Sequence, residues 1–275
     1  MSATFVVVPQ WQGSGSSRAM RLVDGAEAIR GDLPSASTLT VEVPLEAGDT
    51  QGTTVNRLTS IATVRDRLAA VLSEVDGPAI TVGGDCGVEL GAIGRVAADD
   101  VAVIWLDAHP DLNTPETSSS GSFHGMVLRT LLGEGPAQLV PENPLPASRL
   151  ILAGCRAFDP AEDECIAANA VPCIAAADVS GDALIAAVEA TGASSVYLHI
   201  DLDVLDPEDL AGVGYPEPFG VPASTLVDAI KAVLARYPLA GAGITEFAPS
   251  SPNDAVDDMP TILRLVGALA AGARD

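Results

Sequence analysis

The chain has 275 residues, of which 48% are hydrophobic but only 4% aromatic, so Ala, Val, Leu and Ile must fill most of the core. Its 14 basic and 37 acidic residues give a formal net charge of −23, which argues against nucleic acid or an anionic membrane as a partner because both require a basic face. The charge suits a small cationic molecule, although a solubilising acidic surface explains it equally well. No stretch reaches the ~18 uncharged apolar residues of a membrane span, and the N-terminus lacks a signal-like pattern, so we expect a cytoplasmic protein.

Predicted strands and helices alternate along the chain. The run 101–106 is apolar without polar alternation, which is typical of a strand buried on both faces of a parallel sheet. Further strands are predicted at 5–8, 39–45, 79–82, 150–154, 195–200 and 243–247. Helices are predicted at 55–75, 88–98, 124–132, 161–170, 183–191, 222–237 and 254–273. We predict a loop between the first two strands, and a single α/β domain over residues 1–275 with a mainly parallel sheet of about eight strands.

Acidic clusters follow two of the predicted strands. Asp107, His109 and Asp111 come directly after 101–106, and Asp201 and Asp203 follow 195–200, where an extended chain would point both carboxylates the same way. Ligand sites in parallel α/β sheets lie beyond the carboxyl ends of the strands. Carboxylates this dense repel one another unless a cation neutralises them. A single Asp-x-Asp is most simply a solvated loop, but two clusters of this kind favour one site with two divalent metals.

Three further segments carry polar chemistry. Gly83-Gly84-Asp85-Cys86 follows a predicted strand, His124-Gly125-Met126 opens a helix, and Glu246 lies at the tip of the last strand. Together with the two acidic clusters they resemble the ureohydrolase (arginase/agmatinase) family, whose patterns are Gly-Gly-Asp-His, Asp-Ala-His-x-Asp, His-Gly-x and Asp-x-Asp-x-x-Asp-Pro. The resemblance runs from about residue 80 to 250 and is specific as a joint pattern. It implies a three-layer α/β/α sandwich around a parallel eight-stranded sheet, and two Mn2+ ions.

The resemblance also implies roles for side chains. Six of them would hold the two ions: Asp107 and Asp201 as bridges, His109 and Asp203 on one ion, and Asp111 and Cys86 on the other. Water between the ions would attack a guanidinium carbon as hydroxide, giving a urea-type product and an amine. Glu246 would pair with the guanidinium and His124 would shuttle protons, with Asp111 a third candidate catalytic residue.

The polar loop 112–123 resembles the arginase branch of the family. In that branch the residues matching Asn113 and Ser120 hold the α-carboxylate of the substrate, and the one matching Asp159 receives its α-amino group. Agmatine has no carboxylate, so the match favours an α-amino acid with a guanidino side chain. The alternative is that the loop merely covers the pocket.

Cys86 departs from the family, which has His at this position. A thiolate could bind the metal, but it is a soft ligand for a hard ion. A neutral thiol would leave one ion weakly held, or the site could be degenerate in a non-catalytic binding subunit.

A weakly held ion favours a more reactive substrate. Cys86 is a feature that resembles the hydroxyarginase group of D-cycloserine biosynthesis, which implies Nω-hydroxy-L-arginine as substrate, with hydroxyurea and L-ornithine as products. Ordinary arginase activity, another guanidino-acid hydrolase of the agmatinase or guanidinobutyrase type, and deacetylase-like chemistry are the alternatives. Family members are often oligomers, so a homo-oligomer is an open expectation.

The remaining cysteines and one histidine give weaker signals. Without a Cys-x-x-Cys pair we expect reduced thiols, with Cys165 and Cys173 as small buried hydrophobes. His199 precedes Asp201 by two and shares its predicted face, so we expect it to be structural or to hold the metal ligands in place.

Overall fold

The sheet is entirely parallel. In the computed structural model, which describes residues 3–97 and 100–273, it contains eight strands: β1 (Thr4–Val8), β2 (Thr38–Thr40), β3 (Ala79–Gly83), β4 (Val101–Leu106), β5 (Leu150–Ala153), β6 (Cys173–Ile174), β7 (Ser195–Asp201) and β8 (Leu239–Thr245). Their order is β2-β1-β3-β8-β7-β4-β5-β6, and every neighbouring pair is parallel. The predicted mainly parallel sheet is confirmed.

Helices cover both faces of the sheet. In the described part of the chain they are α1 (Arg21–Asp32), α2 (Leu58–Ser73), α3 (Glu89–Gly94), α4 (Val127–Leu131), α5 (Pro160–Asn169), α6 (Gly181–Thr191), α7 (Ala223–Leu234) and α8 (Pro252–Gly272). One hydrophobic core packs α1, α6, α7 and α8 on the sheet, and the other packs α2 to α5. Strand β4 supplies both cores, with Val103 and Trp105 on one face and Ile104 and Leu106 on the other. The three-layer sandwich is therefore confirmed. None of the described helices combines the length and apolar character needed to cross a bilayer.

The predictions for the first hundred residues differ from the structure in three places. The segment between the first strands was predicted as a loop, but α1 occupies Arg21–Asp32, with Leu22, Ala26 and Ile29 buried on one helical stripe. The predicted strand 39–45 is only Thr38–Thr40, since its polar residues and Pro44 lie at the edge of the sheet. The predicted helix 88–98 is shorter, with a 3-10 turn at Cys86–Val88 and α3 at Glu89–Gly94, and residue 98 lies outside the described residues.

Further differences concern the second half. The two-residue strand β6 was not predicted, because so short an edge strand has no recognisable pattern. Strand β8 begins at Leu239, before the predicted 243. Cys165 is buried as predicted, but Cys173 is exposed on β6, so that prediction was wrong.

Candidate metal centre

Four adjacent strands in the middle of the sheet bring the candidate residues together. The neighbouring strands β3, β8, β7 and β4 all end at the same edge. Cys86 follows β3, Glu246 follows β8, Asp201 ends β7 and Asp107 follows β4. The parallel topology therefore gathers residues that are up to 160 positions apart in the sequence.

The first group of potential ligands is Asp107, His109 and Asp203, whose ligand atoms all lie within 4.8 Å of one another. His109 Nδ1 is 3.1 Å from Asp203 Oδ2 and 3.5 Å from Asp107 Oδ1. Burial alone would lower the pKa of His109, but hydrogen bonds to the two carboxylates outweigh it and raise that pKa to about 12. The imidazole is held between two anions, as a metal ligand would be.

We had predicted that Asp201 and Asp203 lie on one extended segment, but the structure does not show this. The strand ends at Asp201, and Asp203 lies in a 3-10 turn, Leu202–Val204. Asp201 Oδ1 accepts the backbone N–H of Asp203 at 2.8 Å, and Asp203 Oδ1 accepts that of Ala108 at 3.1 Å. The turn still brings both carboxylates into the centre and ties them to the residue that follows Asp107.

The second group contains Cys86, Asp107, His199 and Asp201, and all four are buried. The Cys86 thiol donates to Asp201 Oδ2 at 3.1 Å and lies 3.2 Å from Thr245 Oγ1. Burial, followed by the charge of Asp201, raises the pKa of Cys86 well above its ordinary value. In this form the thiol is a hydrogen-bond donor rather than an anionic ligand. Asp107 is common to both groups, as expected of a bridging carboxylate.

Among the described residues, two carboxylates of the cavity have a buried oxygen without a hydrogen-bond partner, namely Asp111 Oδ2 and Glu246 Oε2. Both residues also have left-handed backbone, with φ of 53° and 64°. Such a conformation costs a non-glycine residue about 1–3 kcal/mol and is concentrated at functional sites. Asp111 lies outside both groups of clustered ligand atoms, although it lines the same cavity. Unpaired buried anions fit a site that receives cations.

The carboxylates themselves also fit a cation. Burial and then the charges of neighbouring aspartates raise the pKa of Asp111 and Asp201 well above the usual range, and burial and Asp107 raise that of Asp203 to about 6. Only Asp107 has a lowered pKa, because hydrogen bonds from His109 and His199 outweigh its burial. A divalent ion would relieve this repulsion, and carboxylate oxygens with imidazole suit Mn2+. The residues present therefore fit the metal that the family resemblance implies.

A cavity of about 320 Å³ opens above the metal centre. Its lining includes every carboxylate and imidazole predicted to act there except Asp107, which lies deeper: His109, Asp111, His124, Asp159, Asp201, Asp203 and Glu246. Asn113 and Ser120 also line it, as does Tyr215, which was not predicted from sequence. The volume is at the lower end of the range for small-molecule pockets.

His124 reaches the cavity from a 3-10 turn, Phe123–Met126, which directly precedes α4, where the sequence had predicted the start of a helix. Its backbone N–H donates to the carbonyl of Gly13, and its Nδ1 lies 3.3 Å from Glu246 Oε1. Burial would lower the pKa of His124, but the contact with Glu246 outweighs it and raises that pKa. The imidazole is therefore placed beside a pocket carboxylate whose second oxygen has no hydrogen-bond partner.

Glu246 is positioned by close packing of two loops. A Cβ on Gly84 would lie only 1.7 Å from the carbonyl oxygen of Gln10, so only glycine fits there. The Gly84 carbonyl in turn accepts the backbone N–H of Glu246 at 2.7 Å. Gly84 thus allows two chain segments to approach each other.

The predicted substrate residues lie at the outer part of the cavity. Asn113 is buried, and its Nδ2 donates to Asp159 Oδ2 at 2.9 Å, while its Oδ1 accepts from Thr117 Oγ1 at 2.8 Å. Ser120 is exposed at the rim, and its Oγ accepts the backbone N–H of Ser122. One N–H of Asn113, the Ser120 hydroxyl and the Asp159 carboxylate remain able to bind a polar ligand.

Two polar residues that support the site were not predicted from sequence, namely Asp85, which is buried, and Arg156, which is half-buried. Asp85 accepts from the Gln10 amide and from the backbone N–H groups of Gly13 and Gly87, and burial raises its pKa to about 6. The Arg156 guanidinium donates to backbone carbonyls around Asp203 and in the loop after it. In the sequence, each of these two residues is visible only as a charged residue within or near a motif. Such a signal does not reveal which distant residue it contacts.

The chain is an α/β protein with two neighbouring groups of potential metal ligands, and comparison with known proteins identifies its family. The arginase family model matches residues 17–264, so the chain belongs to the arginase family. It is 33% identical to the Entamoeba histolytica arginase over 193 residues, covering 66% of this chain and 65% of that protein. It is 31% identical to the Bacillus caldovelox arginase over 222 residues, covering 74% and 73%. The crystal structure of the E. histolytica arginase in complex with L-ornithine has a TM-score of 0.87 at 25% identity, covering 98% of this chain and 99% of that one. The sequence match thus spans about two thirds of the length of the Entamoeba relative.

Proposed function

We propose that this chain is a manganese-dependent amidinohydrolase that cleaves the guanidino group of an α-amino acid. The observation that carries the proposal is the pair of ligand groups sharing Asp107 beneath a cavity with Glu246 on its wall. Family membership supports the class of reaction, because the matched relatives are arginases.

The ions would be held by the two ligand groups together with Asp111, whose unpaired Oδ2 lies in the same cavity. When bound, a pair of divalent ions lowers the pKa of a water molecule so that a nucleophile is available near neutral pH. The protein contributes the fixed geometry, since backbone N–H groups restrain the carboxylates of Asp107, Asp201 and Asp203.

Glu246 and His124 would act on the substrate itself. The free Oε2 of Glu246 is buried and can accept from the fork of N–H donors of a guanidinium group. His124 lies beside it and can hold a proton for the leaving amine, because the neighbouring carboxylate raises the imidazole pKa. Bond cleavage then gives an amine and a urea-type product.

Residues at the outer end would select an α-amino acid. Asn113 and Ser120 offer donors to an α-carboxylate, and Asp159 offers an acceptor to an α-ammonium group. The related Entamoeba arginase binds L-ornithine, which carries both groups, and this supports the assignment. Agmatine would lack the contacts to Asn113 and Ser120.

Cys86 favours Nω-hydroxy-L-arginine as the substrate, with hydroxyurea and L-ornithine as products. A protonated thiol that donates to Asp201 is a poor metal ligand, so position 86 contributes less to holding the nearby ion than the imidazole of the family would. The hydroxyl of an N-hydroxyguanidine lowers the basicity of the group and makes its carbon easier to attack. Ordinary arginase activity is the second candidate, favoured by the identity of the matched relatives.

The test compares kcat/KM for Nω-hydroxy-L-arginine, L-arginine and agmatine with Mn2+-loaded protein. Release of ornithine measures the hydrolysis of both amino acids, and release of putrescine measures the hydrolysis of agmatine. We expect the hydroxylated amino acid to be best and agmatine worst. A preference for L-arginine would leave the family reaction intact and overturn the hydroxyarginine assignment, and no release from any of the three would overturn the proposed function.

A further inference from the structure

A buried histidine on β7 belongs to the metal centre although no motif marks it. We propose that His199 Nε2 is a direct ligand of the ion held by Asp107 and Asp201 beside the Cys86 thiol, and supplies the imidazole that the family otherwise carries at position 86. The proposal rests on the proposed function, which requires metal at this centre. The sequence alone had suggested only a structural role or a role in holding other ligands.

The distances place His199 among the ligands. Its Nε2 lies 3.7 Å from Asp107 Oδ2 and 3.8 Å from Cys86 Sγ, and the four ligand atoms are all within 4.8 Å of one another. Two atoms bound to one ion at about 2.1 Å lie about 3.0 Å apart at right angles and about 4.2 Å apart when opposite. The observed separations match those of groups that share one ion.

The far side of the ring is fixed by a carboxylate. His199 Nδ1 lies 3.0 Å from Glu89 Oε1, and Glu89 Oε2 accepts the hydroxyl of Tyr197 at 2.5 Å. A carboxylate accepts hydrogen bonds, so Nδ1 carries the proton and Nε2 is the atom turned towards the centre. A carboxylate behind an imidazole is the usual arrangement for a metal-binding histidine.

The structure makes room for this arrangement on a third strand. Gly243 on β8 pairs with His199, and a Cβ there would lie 1.6 Å from Glu89 Oε1. Any side chain at Gly243 would displace the carboxylate that orients His199. The ring also stacks on Trp105 at 3.5 Å between centroids, and Trp105 Nε1 donates to Asp107 Oδ2 at 3.0 Å. His199 is therefore held in place from two sides.

Position 86 has space only for a small side chain. The Cys86 Sγ has Asp201, Thr245 and His199 within 3.8 Å, so a larger imidazole here would have to displace one of these neighbours. Positions 86 and 199 together therefore provide one imidazole to the centre. A cysteine at 86 is then the consequence of supplying the ring from β7, and not merely the loss of a ligand.

The direct test is a crystal structure of the Mn2+-loaded protein with the ions located by anomalous scattering. We expect His199 Nε2 within about 2.3 Å of one ion, as in metal–imidazole bonds. A clear ion beside Asp107 and Asp201 with Nε2 out of bonding range, or hydrogen-bonded to another ligand, would overturn the inference.

Two substitutions test the same point in solution. In His199→Asn the amide occupies the place of Nδ1 and keeps the bond to Glu89, whereas in His199→Gln its oxygen occupies the place of Nε2. We expect Asn to weaken one of two Mn2+ sites by about 100-fold or more and Gln to recover much of that affinity, as measured by chelator competition. Tyr197→Phe is the matched control, because it alters the same Glu89 carboxylate without touching the centre. Equal losses of Mn2+ affinity in His199→Asn and His199→Gln would show that His199 acts only by supporting other residues. A loss of affinity in Tyr197→Phe as large as that in His199→Asn would show the same.

A double exchange separates this inference from the proposed function. As a single substitution, Cys86→His should weaken Mn2+ binding. Combined with His199→Ala it should bind Mn2+ more tightly than either single variant, since the new imidazole then has the space that the His199 ring occupied. If the Mn2+-loaded protein hydrolyses a guanidino substrate while His199 Nε2 is not bound to metal, only the inference about His199 is overturned. If Nε2 is bound to metal but no guanidino substrate is hydrolysed, only the proposed function is overturned.

Discussion

His124 Nδ1 and Glu246 Oε1 lie 3.3 Å apart across the wall of the candidate pocket. The same Oε1 accepts the backbone N–H of Cys86 at 3.2 Å, which leaves Oε2 buried and without a partner. One oxygen of Glu246 therefore fixes its position and the other is available to a substrate. The imidazole is held at the point where a proton would be needed after the guanidino group is cleaved.

His124→Asn tests the proton-transfer role. Loss of a positioned acid or base lowers a rate by about 10²–10⁴-fold, and we expect this loss in kcat with little change in KM. Steady-state kinetics at saturating Mn2+ would measure it, with bound manganese counted in both proteins. Unchanged kcat at equal metal content would contradict the role.

Glu246→Gln tests recognition of the guanidinium charge. Breaking a buried charged hydrogen bond costs about 2–5 kcal/mol, so we expect a fall of at least about 30-fold in kcat/KM. Glu162→Gln is the matched control, because Glu162 is also a buried carboxylate of this cavity but its oxygens already accept the N–H groups of Leu112 and Asp159. We expect that variant mainly to unfold at a lower temperature. Similar kinetic losses in both would mean that Glu246 has only a structural role.

The metal-centre residues were predictable because their signals are local. A buried strand is apolar along its length, so Asp107 and Asp201 stand out at the point where each strand ends. Parallel strands meet at one edge, which brings these ends together without knowledge of the fold in detail. The same reasoning located the turn that carries Cys86.

The contacts of His199 were not predictable, because they depend on three distant elements. Alternation along β7 placed the ring on the face of Asp201, but its orientation depends on Glu89 in α3 and on the absence of a side chain at Gly243 in β8. Neither residue carries a local pattern that names its partner. Helix α1 was missed for a different reason, since the glycines and serines before it obscured its short apolar stripe.

Asn113→Ala tests selection of an amino acid. It should raise KM for L-arginine and its Nω-hydroxy form by about 10-fold, the value of one hydrogen bond to a charged group, and leave agmatine unaffected. Thr117→Val removes the hydroxyl that donates to Asn113 Oδ1 and accepts the backbone N–H of Thr114, but it keeps the Asn113 amide, so its effect should be smaller and in the same direction. Equal effects on all three substrates would show that loop 112–123 only covers the pocket.

Arg156→Ala tests the support beneath Asp203. The guanidinium donates to the carbonyls of Asp203 and Glu217, which ties the end of β7 to the following loop. Hydrogen bonds to charged groups contribute about 1.5–3 kcal/mol, so we expect at least that loss in the free energy of unfolding and a lower Tm. Chemical denaturation would measure it, with the exposed Arg236→Ala as control. Equal stability of the two variants would contradict this account.

The pH dependence of stability should become weaker when metal binds, because the raised carboxylate pKa values reflect burial and mutual repulsion that Mn2+ would offset. Burial raises the pKa of Asp85 and of Asp203 from 3.8 to about 6. Between these values the unfolded chain has lost protons that the folded chain retains, so the free energy of unfolding falls as pH rises through about 4 to 6 and is then constant for these groups. For Asp85 alone the fall is on the order of 3 kcal/mol. Thermal unfolding with chelator should therefore show a decreasing Tm over this window.

Saturating Mn2+ should reduce that decrease, because Asp203 would bind the ion whereas Asp85 accepts only protein donors. The part that remains with Mn2+ should disappear in Asp85→Asn, which cannot ionise at this position. A Tm that rises with pH in the chelated protein, or a slope that Mn2+ leaves unchanged, would show that these carboxylates do not form a cation site.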